Sequence, residues 1–206
     1  MTRITFIRHG QTLWNQLRKY QGHSDIPLNS TGIQQARRVA ERLSKETLHA
    51  VYSSDLSRAV QTAQAIAQKH ELSVQTLGGF REMDFGLWEG LTYEEIMEKW
   101  SEELTQMYSH PGKGRAPEGE SFQEVQDRAL AALTECVERH PGQNIVIAAH
   151  GGPLRAILCK LMGKGLEEIW NIGQDSTAVS RVEYEQGEYR VILINDTGHL
   201  AEEAAF

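Results

Sequence analysis

Ile4-Thr5-Phe6-Ile7-Arg8-His9-Gly10-Gln11-Thr12 runs from β-branched and aromatic residues straight into an arginine, a histidine and a glycine. That is the pattern of a buried first strand ending at a sharp turn. Arg8 and His9 therefore stand at a strand's carboxyl end, the edge of an open α/β sheet where loops leave a ligand crevice. Arg8 supplies a fixed positive fork, His9 a nucleophilic nitrogen, and Gly10 allows close approach to the backbone. Alone, the triplet is as well explained by two solvated polar residues. A second strand of the same kind changes the balance. Asn144-Ile145-Val146-Ile147-Ala148-Ala149 is the continuous apolar run of a central parallel strand covered on both faces, and it ends in His150-Gly151-Gly152-Pro153. Two buried strands thus deliver a histidine followed by glycine to one sheet edge.

The 206 residues are 40% hydrophobic, enough for a full core, and are read as a single domain over 1–206. A net charge of −7 argues against a nucleic-acid partner bound through phosphate neutralisation, so phosphate recognition requires a concentrated basic pocket. No apolar run approaches membrane-spanning length, and Met1-Thr2-Arg3 lacks a signal-peptide profile, giving the expectation of a cytoplasmic protein with no membrane partner. Cys136 and Cys159 are expected as buried free thiols. The eight histidines show no ligand-like spacing, so no metal and no cofactor are expected.

Between the two His-Gly strands, alternating patterns predict a three-layer α/β/α arrangement around a mostly parallel sheet. Leu13 to Pro27 reads as a polar loop in which Asn15 and Gln21 can donate amide hydrogens to an anion. A capping box at Thr31 opens a helix to about Ser44. Ala50 to Ser53 is a short strand, and Ser54-Asp55 is expected to cap the next helix. Arg58 in that helix's first turns opposes the macrodipole unless an anion sits before it. After a strand over 74–77, the run Arg81-Glu82-Met83-Asp84-Phe85-Gly86-Leu87-Trp88-Glu89-Gly90 alternates carboxylates with apolar residues, which raise a carboxyl pKa by desolvation. Glu82, Asp84 and Glu89 are equal candidates for a general acid at this stage. Capping boxes at Thr92 and Ser121 begin two more helices, and the Gly/Pro-rich 109–119 loop is expected as a mobile lid. The segment 78–120 is thereby an insertion forming part of the substrate pocket and lid. Strands over 177–184 and 189–194 finish the sheet as a hairpin; its edge leaves room for a homodimer, with Val179 and Val182 in that interface or in the core. The tail 195–199 is expected near the crevice.

The motifs from Arg8 to Asn15, Ser53 to Ala63, Arg81 to Gly90, Pro117 to Ser121 and Ala149 to Gly151 resemble, in order, those of the histidine phosphatase superfamily, also called phosphoglycerate mutase-like. Within it the sequence is similar to α-ribazole and metal-independent phosphoserine phosphatases. The resemblance implies that His9 becomes the phosphohistidine, that Arg8, Arg58 and His150 bind the phosphoryl oxygens, and that Glu82 is the proton donor. It also implies that Asn15, Gln21, Gly22 and Gly151 line the phosphate pocket. The expected activity is hydrolysis of a small phosphate ester: α-ribazole 5′-phosphate, phosphoserine or a broad set. The alternatives are a cofactor-dependent phosphoglycerate mutase and a non-catalytic phospho-ligand binding protein. Mutases of the family carry a longer insertion after the catalytic glutamate, with an arginine pair, and neither feature occurs between Glu82 and His150. His110, Lys113, Arg115 and His199 are the expected holders of any substrate carboxylate, and Phe85, Trp88, Tyr93, Met97 and Tyr108 the expected apolar wall.

Overall fold

In the computed structural model, which describes residues 1–201, the opening apolar run lies in β1 (Thr2–Arg8) with Ile4, Phe6 and Ile7 fully buried. The other strands are β2 (Ala50–Ser53), β3 (Val74–Thr76), β4 (Asn144–Ala149), β5 (Val179–Glu185) and β6 (Glu188–Asp196). They form one sheet in the order β3-β2-β4-β1-β5-β6. The first four strands in that order are parallel, and β5 and β6 add an antiparallel hairpin. The continuous apolar run therefore does occupy a central parallel strand, as a strand covered on both faces must.

Alternation along the strands sends side chains into two cores. Ile4, Phe6, Tyr52, Ile145 and Ile147 pack against α5 (Phe122–Arg139) and α6 (Gly151–Leu161). Ile7, Val51, Val146 and Ala148 pack against α2 (Ser30–Leu43) and α3 (Ser57–Lys69). The expected α/β/α layers with a mostly parallel sheet are thus present. Val179 and Val182 are fully buried and face the cores, and both cysteines are buried free thiols. Among the described residues no helix is long and apolar enough to cross a membrane.

The segment between β3 and α5 carries α4 (Tyr93–Ser109), kinked at Trp100, and builds a third apolar cluster from Met83, Trp88, Ile96, Leu104, Met107 and Phe122. Trp88 is wholly buried there and belongs to the core in place of the apolar wall expected of it, while Tyr93 and Met97 are exposed on α4. The 109–119 loop, expected as a lid, is tied down on both sides. Phe122 N–H donates to Pro111 O, Leu87 N–H to Pro117 O and Glu120 N–H to Asp84 O.

Helix starts differ from expectation where tertiary contacts outbid local pattern. Asn29, not Thr31, caps α2, its Oδ1 accepting from Gly32 N–H at 2.8 Å. Leu56 occupies the N-cap of α3 without a side-chain bond, because Ser54 and Asp55 are engaged elsewhere. The polar loop after β1 contains a single-turn helix, α1 (Leu13–Gln16), capped by Thr12 and Asn15.

The turn after β1 presses directly on the start of α2. A Cβ at Gly32 would lie 2.0 Å from Gln11 O, and one at Gly10 would lie 2.5 Å from Gly32 O. Helix propensity alone favours alanine over glycine at an interior helical position by about 1 kcal/mol. Here the backbone collision reverses the sign: Gly32→Ala should destabilise by about 1–3 kcal/mol, read as a lowered midpoint in denaturant unfolding. A raised midpoint would mean that this contact relaxes freely.

Candidate active site

Register places the two histidines side by side. Arg8 pairs with Ala149 across the parallel β1/β4 ladder, and His9 N–H donates to Ala149 O at 2.9 Å. The next residue on each strand is a histidine, so the rings meet with centroids 5.0 Å apart. Both are buried. His9 Nδ1 donates to Gly10 O at 2.7 Å, since a carbonyl can only accept; the neutral ring therefore keeps its lone pair on Nε2. His150 has the opposite tautomer. Its Nδ1 accepts from Arg58 Nε at 3.2 Å, leaving Nε2 to donate to Ser54 Oγ at 2.6 Å.

Arg58 is fully buried at the start of α3. Its guanidinium spans Gly22 O at 2.7 Å and Ser24 O at 2.8 Å besides His150, so backbone carbonyls answer the unfavourable position at a helix N-terminus. Arg8 is anchored through Nη1 to Gln174 O at 2.7 Å, while its buried Nε has no hydrogen-bond partner among the described residues. Burial, followed by the charges of Arg58 and Arg8, holds His9 well below the usual imidazole range. Burial first, then Arg58 and the neighbouring His9, does the same to His150. Burial also lowers the proton affinity of Arg8 and Arg58, and Glu82 is the largest charge opposing that fall in both.

The three carboxylates left equal by the sequence separate clearly. Glu82 Oε1 accepts from Gly152 N–H and Met83 N–H, both at 2.9 Å, at the first turn of α6. Glu89 locks the preceding loop, accepting from His23 N–H at 2.7 Å and from Ser24 N–H and Oγ at 2.8 and 2.5 Å. Asp84 accepts from Gly86 N–H at 2.8 Å and faces His23. Of the three, only Glu82 acts on both Arg8 and Arg58. Gly151 lies among these groups: a Cβ there would be 3.0 Å from Arg155 Nη1 and 3.8 Å from both Arg8 Nε and Glu82 Oε2.

The residues offered from the first loop play supporting parts in this geometry. Asn15 Oδ1 accepts from Thr12 N–H at 3.0 Å, and Gln21 Oε1 accepts from Thr12 Oγ at 2.9 Å, which fixes both amides beside the β1 turn. Gly22 adopts φ +52°, and a Cβ there would meet Glu89 Oε1 at 1.8 Å. Several neighbours were not anticipated. Ser54 orients His150; Thr62 Oγ accepts from Gly10 N–H at 3.1 Å; Arg128 grips the carbonyls of Gly79, Arg81 and Glu82. Arg155, half-buried beside Glu82, is the fourth, and it carried a signal: it is the one charged residue among the apolar positions of Gly152 to Cys159.

The expected carboxylate holders lie elsewhere. His110 and Lys113 line a separate cavity of about 670 Å³ with Lys160 and Lys164, and Arg115 pairs with Glu124. His199 lies against α2, between Arg42 and Thr177, in a cavity of about 940 Å³ that contains none of the residues above.

Comparison with known proteins identifies the family. Residues 4–197 match the model of the histidine phosphatase superfamily (branch 1). The chain is 35% identical to phosphoserine phosphatase 1 of Hydrogenobacter thermophilus, over 98% of this chain and 96% of that protein. It is 39% identical to phosphoglycerate mutase-like protein 4 of Arabidopsis thaliana, over 97% and 87%. Among solved structures it superposes on Bacillus stearothermophilus YhfR with a TM-score of 0.93 at 31% identity, covering 98% of this chain and 100% of that one. An Escherichia coli protein described as a putative α-ribazole-5′-phosphate phosphatase gives 0.87 at 28%, covering 95% and 96%. The chain belongs to the histidine phosphatase superfamily.

The buried neutral imidazoles make stability pH-dependent. Above about pH 7 folded and unfolded chains are both neutral at these positions. Below the unfolded value near 6.5, the unfolded chain takes up protons that the native site rejects, so stability falls as pH falls, by about 1.4 kcal/mol per pH unit for each such group. Replacing His9 by asparagine should flatten the decline of unfolding free energy between pH 6.5 and 5; an unchanged slope would place the charged imidazole in the native state.

Proposed function

We propose that this protein is a phosphomonoesterase that hydrolyses a small phosphorylated metabolite through a phosphohistidine at His9. The observation that carries this reading is the tautomer of His9: the Gly10 carbonyl holds the proton on Nδ1, leaving an unprotonated Nε2 beside two buried guanidiniums. A neutral imidazole among positive charges is a nucleophile in waiting for an anionic electrophile.

In the first step Nε2 attacks phosphorus in line, forming the N–P bond as the bond to the alcohol oxygen breaks. Glu82 gives that oxygen its proton. In the second, the Glu82 carboxylate takes a proton from water, whose oxygen displaces His9 from phosphorus and releases inorganic phosphate. Arg8 and Arg58 hold the phosphoryl oxygens and stabilise the charge spread over them in the transition state. His150 stands with them, and a dianion at this place raises its affinity for a proton. Asn15, Gln21 and the backbone at Gly22 and Gly151 complete the cradle, the last at the positive end of α6. No step calls for a metal, and among the described residues no cluster of three potential ligands occurs.

The short span from Glu82 to His150, without an adjacent arginine pair, supports hydrolysis over phosphoryl return to substrate. The relatives named as phosphoserine and α-ribazole phosphatases support the same choice. The relative named as phosphoglycerate mutase-like defines the competing outcome.

His9→Ala should abolish turnover without loss of fold and leave no acid-labile phosphoprotein after rapid quenching with substrate; wild-type turnover in that variant would remove the covalent path. Glu82→Gln should slow an alkyl phosphate by about 10²–10⁴-fold and an activated aryl phosphate far less, because only the alkoxide needs a proton. Equal losses would assign the acid elsewhere. Isomerisation of 3-phosphoglycerate with added 2,3-bisphosphoglycerate, in place of phosphate release, would make the protein a mutase. Full activity in excess chelator is expected.

A further inference from the structure

The largely buried arginines of the site outnumber the charges of a phosphoryl dianion. Three guanidiniums, those of Arg8, Arg58 and Arg155, surround Gly151 and Glu82 in largely buried surroundings. A phosphoryl dianion answers two of them. Glu82 must carry a proton to serve as acid, so its negative charge is absent when the ester binds. Asp175, which also faces Arg8 and Arg155, is exposed and held by Asn195 Nδ2 at 2.8 Å. Arg155 is then opposed only by Asp175, whose carboxylate lies at the surface where water screens it.

Its geometry points the same way. Arg155 is anchored only through Nε, which donates to Ile172 O at 2.8 Å, leaving the two Nη groups free of partners among the described residues. The other arginines around Glu82 are spoken for. Arg81 is bidentate on Asp55, at 2.7 and 2.5 Å. Arg128 is divided among Glu120 and three carbonyls. Arg155 stands beside Glu82: a Cβ at Gly151 would lie 3.0 Å from Arg155 Nη1 and 3.8 Å from Glu82 Oε2. The proton donor of the proposed mechanism faces the leaving alcohol, so a group beside it stands near that half of the substrate. Tyr108, close enough for its phenol to act on Arg155, stacks on Trp170 at 4.7 Å and shares a 3.0 Å hydroxyl contact with Tyr20.

We propose that Arg155 selects the alcohol half of the substrate by pairing, through its free Nη edge, with a carboxylate carried near the ester oxygen. This rests on the phosphomonoesterase reading above and narrows it to phosphate esters of hydroxy or amino acids. Arg155 is well suited to the task, because a planar fork held at Nε presents its remaining donors in fixed directions.

The test compares two esters that differ only in this group, 3-phosphoglycerate and glycerol 3-phosphate, by turnover and by calorimetric binding. The wild-type protein should favour 3-phosphoglycerate in kcat/KM by about 30-fold, the scale of one charge-assisted pair. In Arg155→Gln the preference should fall to within about 3-fold, and Arg155→Lys should restore part of it. Equal losses on both esters in Arg155→Gln, or an undiminished preference, would overturn the assignment. If the wild-type protein released phosphate from neither ester, nor from phenyl phosphate, the phosphatase reading alone would fail. The ratio of the two dissociation constants in wild type and Arg155→Gln would still decide the role of Arg155.

Discussion

The parallel pairing of β1 with β4 is the constraint on which the rest depends. Side chains alternate along a strand, so a slip of one residue would send every inward group to the opposite face. With Arg8 opposite Ala149, both strands stop at the same level and both following residues are histidines. The ladder continues one bond further, from His9 N–H to Ala149 O, and this is what holds the two rings 5.0 Å apart. Burial of Ile4, Phe6, Ile145 and Ile147 on one face, and of Ile7, Val146 and Ala148 on the other, fixes that register from both sides. The spacing of the two imidazoles is therefore a product of core packing.

The electrostatics follow from what surrounds that edge. Two buried guanidiniums next to two imidazoles would repel any proton on the rings, and the structure answers by keeping the imidazoles neutral and giving the arginines carbonyl partners. Arg8 takes Gln174 O, and Arg58 takes Gly22 O and Ser24 O. Each carbonyl belongs to a loop that is itself fastened, Ser24 by Glu89 and Gln174 by its neighbour Asp175, whose N–H donates to Asn195 Oδ1 at 2.7 Å. Positive charge is held in place before any anion arrives, so little reorganisation is left for binding.

What was legible in the sequence is what is periodic or local. The two His-Gly strands, the alternating hairpin and the capping boxes at Thr92 and Ser121 could be read because each is decided by residues within a few positions. Ser54 was not legible. A serine before a helix is a good cap in isolation, but here β2 sets it against His150, and one hydroxyl serves the tertiary contact. Glu82, Asp84 and Glu89 were indistinguishable by composition because what separates them is which backbone N–H groups come within reach. For Glu89 and Glu82 those include residues 23, 24 and 152, distant in sequence. The 109–119 loop has the composition of a lid, yet its partners at Asp84 and Leu87 come from another loop, and composition carries no information about them.

Glu82 shows how the sheet edge and the inserted segment become one unit. Its carboxylate rests on Gly152 N–H, and a Cβ at Gly152 would fall 2.3 Å from Oε1, so the contact exists because the second residue after His150 is a glycine. The Glu82 carbonyl is in turn held by Arg128 of α5 and His23 of the first loop, at 2.8 and 3.0 Å. Glu82, Gly151 and Arg155 are thereby referred to α6, and α6 begins where β4 ends. A displacement of α6 would carry all three together with His150, and the β1/β4 ladder opposes any such movement relative to His9. The distance between the imidazole on one strand and the carboxylate beside the other is thus maintained by backbone hydrogen bonds buried within the sheet, the part of the molecule least open to exchange with water.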